Sequence, residues 1–180
     1  SNLDGKNGFN VEGEGLSSAG DVNGDGFGDL MTANTSASPN GIPYAGSSYI
    51  IFGKASGFDA MLQLSSLDGS NGFRIDGAMG ADYLGESVND AGDVNGDGFD
   101  DLIIGAIGAD PNGKSSGSSY VVFGKASGFD ATLNVSTLNG SNGFRLDGEA
   151  EIDFSGNPVS SAGDINGDGF DDVIVSAFRN

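Results

Sequence analysis

The nine residues Asp93-Val-Asn-Gly-Asp-Gly-Phe-Asp-Asp101 decide how this chain is organised, because close copies of them stand at 21–29 and 164–172. The first aspartates of successive copies are 72 and 71 residues apart, and the flanking sequence repeats with them. For example, Ser47–Asp59 returns almost unchanged as Ser118–Asp130. A period of this length predicts a chain built from stacked or radially arranged units.

Each copy places side-chain oxygens at positions 1, 3, 5 and 9 and glycines at positions 4 and 6. With a main-chain carbonyl at position 7, such a loop suits calcium better than magnesium, which needs a tighter octahedral shell. The sequence therefore predicts three Ca²⁺ sites. The expected ligands are Asp21, Asn23, Asp25, the carbonyl of Phe27 and Asp29; Asp93, Asn95, Asp97, the carbonyl of Phe99 and Asp101; and Asp164, Asn166, Asp168, the carbonyl of Phe170 and Asp172.

Two other interpretations of the loops are weaker. An EF-hand needs a bidentate glutamate at position 12 and flanking helices, but that position holds Thr32, Ile104 or Val175 within strand-like runs. Asp and Asn that only cap turns would explain one copy better than three with every ligand type kept. At position 8, Asp100 and Asp171 are expected to face solvent, or at most to support the ligands.

The pattern of apolar residues predicts four strands in one unit, at 85–93, 101–106, 118–123 and 143–147. The second is continuously apolar and is expected to be buried on both faces. The segment 129–138 carries spaced apolar residues and is expected to fold over an edge. No segment shows a 3.6-residue apolar period of helical length, so the fold class is all-β.

Four antiparallel strands per unit, with unit-on-unit packing, describe the blade of a β-propeller. The run Leu84–Ala106 closely resembles the FG-GAP repeats of the integrin α-subunit propeller and their bacterial relatives. The Phe-Gly element corresponds to Phe52-Gly53 and Phe123-Gly124, and the Gly-Ala element to Gly105-Ala106. The resemblance covers essentially the whole chain and implies a ring of about seven blades.

The strand pattern accounts for only part of such a ring. We expect two complete blades at 16–76 and 84–148, a lone outer strand at 8–12 and a half blade at 154–177. An open segment leaves blade faces and sheet edges uncovered. The chain is therefore expected to be a fragment of a larger propeller, or to self-associate.

The composition excludes several classes of function. With 7 basic and 26 acidic residues the net charge is −19, which disfavours nucleic acid and anionic membrane surfaces as partners. Cysteine and histidine are absent, which removes zinc sites built on them, cysteine nucleophiles and Ser-His-Asp triads. No signal sequence or membrane-spanning apolar run is visible, so Ser1 is interpreted as the start of a mature chain, a fragment or an expression product.

These observations lead to an expected function. Calcium is expected to be structural, and loops of this kind suit the high calcium outside cells, with dissociation constants of ~10⁻⁴ to 10⁻³ M. The resemblance implies a secreted or cell-surface module for adhesion or protein–protein interaction, and no enzyme activity. Two alternatives stay open: a carbohydrate-binding module with Tyr44, Tyr83 or Tyr120 as contacts, and a fragment of a carboxylate-based glycan hydrolase. Tyr120 repeats as Tyr49, which favours a core position for it.

Overall fold

The computed structural model describes residues 3–178, and within them the chain is all-β, as the sequence predicts. Strands alternate with turns and with three short 3₁₀ segments, Pro39–Gly41, Leu64–Ser66 and Val135–Thr137. No helix in this range is long and apolar enough to cross a membrane. The strands are β1 (Asn10–Val11), β2 (Glu14–Gly20), β3 (Asp29–Asn34), β4 (Ser47–Ile51), β5 (Met61–Leu62), β6 (Gly72–Asp76), β7 (Val88–Gly92), β8 (Asp101–Ala106), β9 (Ser118–Val122), β10 (Thr132–Asn134), β11 (Gly143–Asp147), β12 (Val159–Gly163) and β13 (Asp172–Val175).

Three antiparallel sheets follow one another along the chain. The first contains β2, β3, β4 and β6 in that spatial order, the second β7, β8, β9 and β11, and the third only β12 and β13. Within each of these sheets, every strand pairs with the next strand of that sheet in chain order. The short strands β5 and β10 lie between sheet strands in the sequence and are skipped. We call the first, second and third sheets with their connections units 1, 2 and 3. The assignment of these units to one larger ring stays a prediction.

The strands predicted for unit 2 are confirmed, with one difference at the innermost strand. It begins at Val88 rather than at residue 85, because Gly85 and Glu86 form the turn that enters the sheet. The second strand, β8, is buried along its whole length, as its continuous apolar sequence predicts. The Phe-Gly elements follow directly after the ends of β4 and β9.

The segment 129–138 does fold over an edge, and the edge belongs to the preceding unit. Its strand β10 pairs in parallel with β6, the outer strand of unit 1. The Phe129 ring stacks on Phe73 of β6 with ring centroids 4.8 Å apart. The same arrangement occurs at the beginning of the chain, where β1 pairs in parallel with β5 and Phe9 stacks on Phe58 at 4.3 Å. The predicted strand at 8–12 thus lies where the outer strand of a preceding unit would lie.

The core lies between the sheets. In β8, Leu102, Ile104 and Ala106 pack against unit 1, in a cluster that contains Met31 and Ile50. The intervening Ile103 packs with Val121 of β9 against Val159 and Val173 of unit 3. Because successive strand residues point to opposite faces, unit 2 is buried on both sides by its neighbours.

The innermost strands of the three units lie side by side. Ser17 of β2 donates its hydroxyl hydrogen to Asn89 Oδ1 of β7 at 3.0 Å. The Asn89 amide in turn donates to Ser160 Oγ of β12 at 3.4 Å. This row of small polar side chains links the three units along the inner edge.

One buried carboxyl group outside the nine-residue loops carries an electrostatic cost. Asp82 lies in the connection from β6 to β7, and its Oδ2 accepts a hydrogen bond from the Met79 N–H at 3.2 Å. Burial raises the pKa of this carboxyl to about 6, and Asp110 adds to the rise. The Met79 N–H and the Arg145 guanidinium act in the opposite direction without cancelling it.

We therefore expect the Asp82→Asn substitution to stabilise the protein at neutral pH. Since the folded-state pKa is raised, ionisation of Asp82 lowers the free energy of unfolding as pH rises from about 4 to about 6, and the loss persists above that range. The amide keeps an oxygen for the Met79 N–H and removes the penalty, so the expected gain at pH 7 is about 1–2 kcal/mol, falling to about zero below pH 4. Urea unfolding at pH 3.5 and pH 7 measures both values.

The matched control is Asp59→Asn, which removes an exposed carboxylate that does not contribute to the raised pKa of Asp82. It is expected to change the unfolding free energy by less than about 0.5 kcal/mol at either pH. An equal gain for Asp82→Asn at both pH values would contradict this assignment of the penalty.

Candidate metal centre

The three nine-residue loops occupy equivalent places in the three units. Each connects the innermost strand to the second strand, namely β2 to β3, β7 to β8 and β12 to β13. The loops therefore lie at the same end of consecutive sheets. We refer to them as loops 1, 2 and 3.

Within each loop, the carboxylate at position 1 accepts hydrogen bonds from the backbone of the same loop. In loop 2, Asp93 Oδ1 accepts from the N–H groups of Gly96 at 2.7 Å and Asp97 at 3.0 Å, and Oδ2 accepts from Gly98 at 2.8 Å. In loop 3 the corresponding bonds from Gly169, Gly167 and Asp168 hold the pKa of Asp164 below its usual value. Position 1 is therefore the centre around which the backbone turns.

The side chains at positions 3 and 5 continue this pattern. Asn95 Oδ1 accepts from the Asp97 N–H at 2.8 Å, and Asp97 Oδ1 accepts from the Phe99 N–H at 3.1 Å. Loops 1 and 3 make the same bonds at distances of 2.9–3.0 Å. The residues that make them are Asn23, Asp25 and Phe27 in loop 1, and Asn166, Asp168 and Phe170 in loop 3.

The carboxylate at position 9 ties the loop to two other parts of its unit. Asp101 is buried, and its Oδ2 accepts from the Val94 N–H at 3.0 Å while Oδ1 accepts from the Gly124 N–H at 2.8 Å. Loop 1 has the same pair of bonds, from Val22 and Gly53 to Asp29. The glycine of each Phe-Gly element thus donates its N–H to the position-9 carboxylate, which explains the link between the two motifs. In loop 3, Asp172 accepts from the Ile165 N–H.

Burial gives these position-9 carboxyls unusual electrostatics. It raises the pKa of Asp101 to about 7, and the neighbouring carboxylates Asp97 and Asp93 contribute to the rise. The pKa of Asp29 is raised to about 6 for the same reason, with Asp25 and Asp21 as neighbours. Hydrogen bonds from backbone N–H groups oppose the rise only in part.

Asp100 and Asp171 do not face solvent; both are half-buried and support predicted ligand residues, which was the second expectation for them, but in the loop of the preceding unit. Asp100 Oδ2 accepts a hydrogen bond from the Asp21 N–H of loop 1 at 2.6 Å, and the Asp100 N–H donates to the Asp21 carbonyl at 3.4 Å. Asp171 makes the same two contacts with Asp93 of loop 2, at 2.9 and 3.0 Å. Each position-8 aspartate therefore fastens its own loop to the loop of the preceding unit.

The phenylalanine at position 7 makes a second contact of this kind. The Phe99 ring lies over Gly24 of loop 1, and the Phe170 ring lies over Gly96 of loop 2. A Cβ atom at Gly24 or Gly96 would collide with the ring above it, so these positions need glycine for close approach as well as for the turn. The spacing of the loop residues predicts the carbonyls of these phenylalanines as ligands, but no local pattern indicates that their rings make contacts between units.

The side-chain oxygens of each loop suit a hard divalent cation. In this structure they accept hydrogen bonds from N–H groups of the loop's own backbone. Each carboxylate oxygen can accept two hydrogen bonds or metal contacts, so Asp93 and Asp97 keep acceptor capacity beyond the N–H groups that they bind. Within residues 3–178, however, no group of three or more Asp, Glu, Cys or His side chains is arranged so that it could hold a metal ion. The chemistry of the residues fits calcium, and the assignment of ligands stays a prediction.

The opposite end of the sheets carries exposed aromatic residues. Tyr44, between β3 and β4, and Tyr83, between β6 and β7, are both exposed with ring centroids 6.2 Å apart. Both have a backbone φ of 55°, and their equivalents one repeat later, Ser115 and Phe154, have 53° and 51°, so this uncommon conformation belongs to the repeat. A cavity of about 500 Å³ between units 1 and 2 opens among the neighbouring connections and is lined by Met79, Asp82 and Asp110. The buried position of Tyr120 is confirmed.

Comparisons with known proteins agree with the arrangement of the loops and sheets. A family described as "FG-GAP repeat" matches residues 13–51, 87–122 and 157–177. Integrin alpha-4 of Xenopus laevis is 31% identical over 164 residues, which are 89% of this chain and 14% of that protein. Integrin alpha-PS5 of Drosophila melanogaster is 37% identical over 101 residues, which are 54% of this chain and 9% of that protein. The chain thus spans a small part of the length of these relatives. Because the family matches more than half of its residues, the chain belongs to the FG-GAP repeat family.

Proposed function

We propose that the chain is a calcium-stabilised segment of a β-propeller that serves adhesion or protein–protein interaction outside the cell or at its surface. The observation that supports it most directly is the set of three equivalent oxygen-rich loops at one end of consecutive sheets. The similarity to two integrin alpha chains supports the cell-surface setting. Fold alone does not fix function, so the role in adhesion rests on this family analogy.

The role proposed for calcium is structural. In loop 2, three carboxylates lie within nine residues: Asp93 is half-buried, Asp97 is exposed and Asp101 is buried. Their mutual repulsion contributes to the raised pKa of Asp101, and a bound divalent cation would offset it. Asp93 and Asp97 would use their remaining acceptor capacity for the ion, while the loop N–H groups hold them in place.

The surface proposed for partners is the end opposite the loops. The exposed pair Tyr44 and Tyr83 provides aromatic area, and aromatic residues are enriched at protein interfaces. Positive backbone φ at both residues indicates that the surrounding structure holds them in this presentation. The same surface would serve a glycan ligand, which is the carbohydrate-binding alternative.

An enzymatic role is not favoured. A glycan hydrolase needs two carboxylates on either side of a groove. The conspicuous aspartates of each unit are bonded within or between the loops, as Asp93, Asp100 and Asp101 are in unit 2. We therefore propose a binding module without catalytic activity.

Calcium is expected to raise the temperature of unfolding. A ligand that binds only the folded state adds about 1.4 kcal/mol per site when its concentration is about ten times the dissociation constant. Calorimetric scans in millimolar calcium and in chelator are expected to differ by several degrees or more, whereas magnesium at the same concentration has a much smaller effect. Identical scans in calcium and chelator would refute the structural role.

The number of sites can be tested with Asp97→Asn. This change removes one carboxylate of loop 2, while the amide oxygen can still accept from the Phe99 N–H. Calorimetric titration is expected to give three calcium ions per chain in the wild type and two tight sites in the variant. The matched control is Asp130→Asn, an exposed aspartate outside the loops with the same charge change, and it is expected to keep all three.

The partner surface can be tested by cell attachment to the immobilised chain. Attachment is expected in calcium, with a loss of at least severalfold in the double variant Tyr44→Ala with Tyr83→Ala. Met61→Ala removes an exposed apolar side chain in β5 instead and should leave attachment unchanged. Equal attachment of both variants would exclude this surface. A screen of the wild type against glycans and glycosidase substrates separates the binding alternatives from the enzymatic one.

A further inference from the structure

Neighbouring loops are in direct contact through the position-8 aspartate of the later loop. Asp100 belongs to loop 2, but its Oδ2 accepts the N–H of Asp21, the first predicted ligand of loop 1, at 2.6 Å. The Asp100 N–H donates in turn to the Asp21 carbonyl at 3.4 Å. Phe99 and Asp101, on either side of Asp100, supply the last two predicted ligands of loop 2. The contact therefore joins one set of predicted ligands directly to the next.

A second connection between the loops runs through the Phe-Gly element of unit 2. The Gly124 N–H donates to Asp101 Oδ1 of loop 2 at 2.8 Å. The next residue, Lys125, donates its N–H to the Val22 carbonyl of loop 1 at 2.9 Å. The Val22 N–H in turn donates to Asp29 Oδ2 at 3.0 Å. A continuous path of backbone and hydrogen bonds thus joins the two position-9 carboxylates of loops 1 and 2, both of which are buried.

The aromatic ring at position 7 closes the space between the loops. The Phe99 ring lies against Gly24 of loop 1, so closely that a Cβ atom at Gly24 would overlap with it. Loops 2 and 3 repeat both the ring contact and the position-8 bonds. Since close packing transmits small displacements, a shift in the backbone of one loop moves groups that touch the preceding loop.

We propose that calcium binding in neighbouring loops is positively coupled, and that the position-8 aspartate positions the first ligand of the preceding loop. This inference rests on the calcium binding proposed above and names the residues through which one loop affects the next. In loop 2, Asp101 and the carbonyl of Phe99 become fixed when a cation is bound, and Asp100 between them is fixed as well. Asp100 then holds the backbone of Asp21, so less of loop 1 remains to be ordered by the second ion. Thermodynamic linkage makes the effect reciprocal.

Electrostatics between the loops acts in the opposite direction. Each loop carries at least three carboxylates, so an ion bound in one loop removes negative charge that attracts an ion to the next loop. Added salt screens this effect, with a Debye length of about 8 Å at about 0.15 M. It has little influence on hydrogen bonds between groups in contact. The positive coupling is therefore expected to increase as salt is added up to that concentration.

The coupling between loops 1 and 2 can be measured by disabling loops singly. Asp168→Asn removes a carboxylate from loop 3 and leaves loops 1 and 2 intact, and the further change Asp97→Asn leaves only loop 1. Calorimetric titration in about 0.15 M salt is expected to show that loop 1 binds calcium about tenfold more tightly in the first variant. The matched control combines Asp168→Asn with Asp130→Asn, an exposed aspartate outside the loops, and is expected to keep the tighter binding.

The role of Asp100 is tested by two substitutions with the same change in charge. Asp100→Asn keeps a side-chain oxygen that can accept the Asp21 N–H, whereas Asp100→Ala removes the acceptor. In the Asp168→Asn background, Asp100→Ala is expected to lower the tenfold coupling to about twofold, because the path through Gly124 is retained. Asp100→Asn is expected to keep most of the coupling.

Hydrogen exchange gives a readout that does not depend on calcium affinity. The Asp21 N–H is bonded to Asp100 of the next loop, so its exchange rate reports on the contact itself. In Asp25→Asn, which disables loop 1, calcium is expected to slow the exchange of this N–H because loop 2 still binds the ion. When Asp100→Ala is added to Asp25→Asn, calcium is expected to leave the exchange rate unchanged.

The outcomes separate this proposal from the proposed function. A wild type that binds no calcium would overturn both. Calcium binding by loop 1 with the same affinity whether or not loop 2 is intact would overturn the coupling alone and leave the structural role of calcium standing. Equal coupling in Asp100→Asn and Asp100→Ala would overturn the assignment of Asp100. Circular dichroism of each variant monitors the fold, and the exchange measurement in Asp25→Asn decides the question even where Asp100→Ala does not fold.

Discussion

A buried carboxylate at the start of the second strand is the contact on which units 1 and 2 depend. In unit 2, Asp101 accepts the N–H of Val94 from the beginning of its loop and the N–H of Gly124 from the end of the third strand. The two ends of the loop and a segment 23 residues further along the chain are thereby fixed at one point. The cost is a buried acid beside two further carboxylates, which raises the pKa of Asp101 to about 7. We propose that a cation bound in such a loop stabilises the fold by offsetting this repulsion.

The units are held together by contacts directed from one unit to the unit before it. Asp100 reaches back to the backbone of loop 1, and the segment containing β10 reaches back to the outer strand of unit 1. The apolar contacts of β8 fill the space between these two polar connections. Neighbouring units therefore interact at their inner, central and outer parts, as expected for an array whose stability is the sum of unit and interface terms.

The sequence predicted the features that depend on local pattern. Continuous or alternating apolar runs identified the four strands of unit 2, and the spaced apolar residues at 129–138 identified an edge-covering segment. The contact of Asp100 with the preceding loop was not predicted because its partner, Asp21, is 79 residues away and no local pattern encodes that contact. One signal was available, since position 8 holds an aspartate in the second and third copies but Gly28 in the first. The oxygen-rich composition of the loops was predictable, but their use as acceptors for their own backbone was not.

The parallel pairing of β1 with β5 and of β6 with β10 means that the sequence period and the folded sheet are out of phase. The outer strand β6 of unit 1 is covered by β10. In the sequence, β10 comes after β7, the innermost strand of the following unit. A gene segment that encodes one sheet would therefore lack the cover for its own edge. Duplication of one full period of 71 or 72 residues, starting at any point, would reproduce every such pairing. Growth of the array by whole periods thus preserves its contacts, whatever the position of the genetic breakpoints.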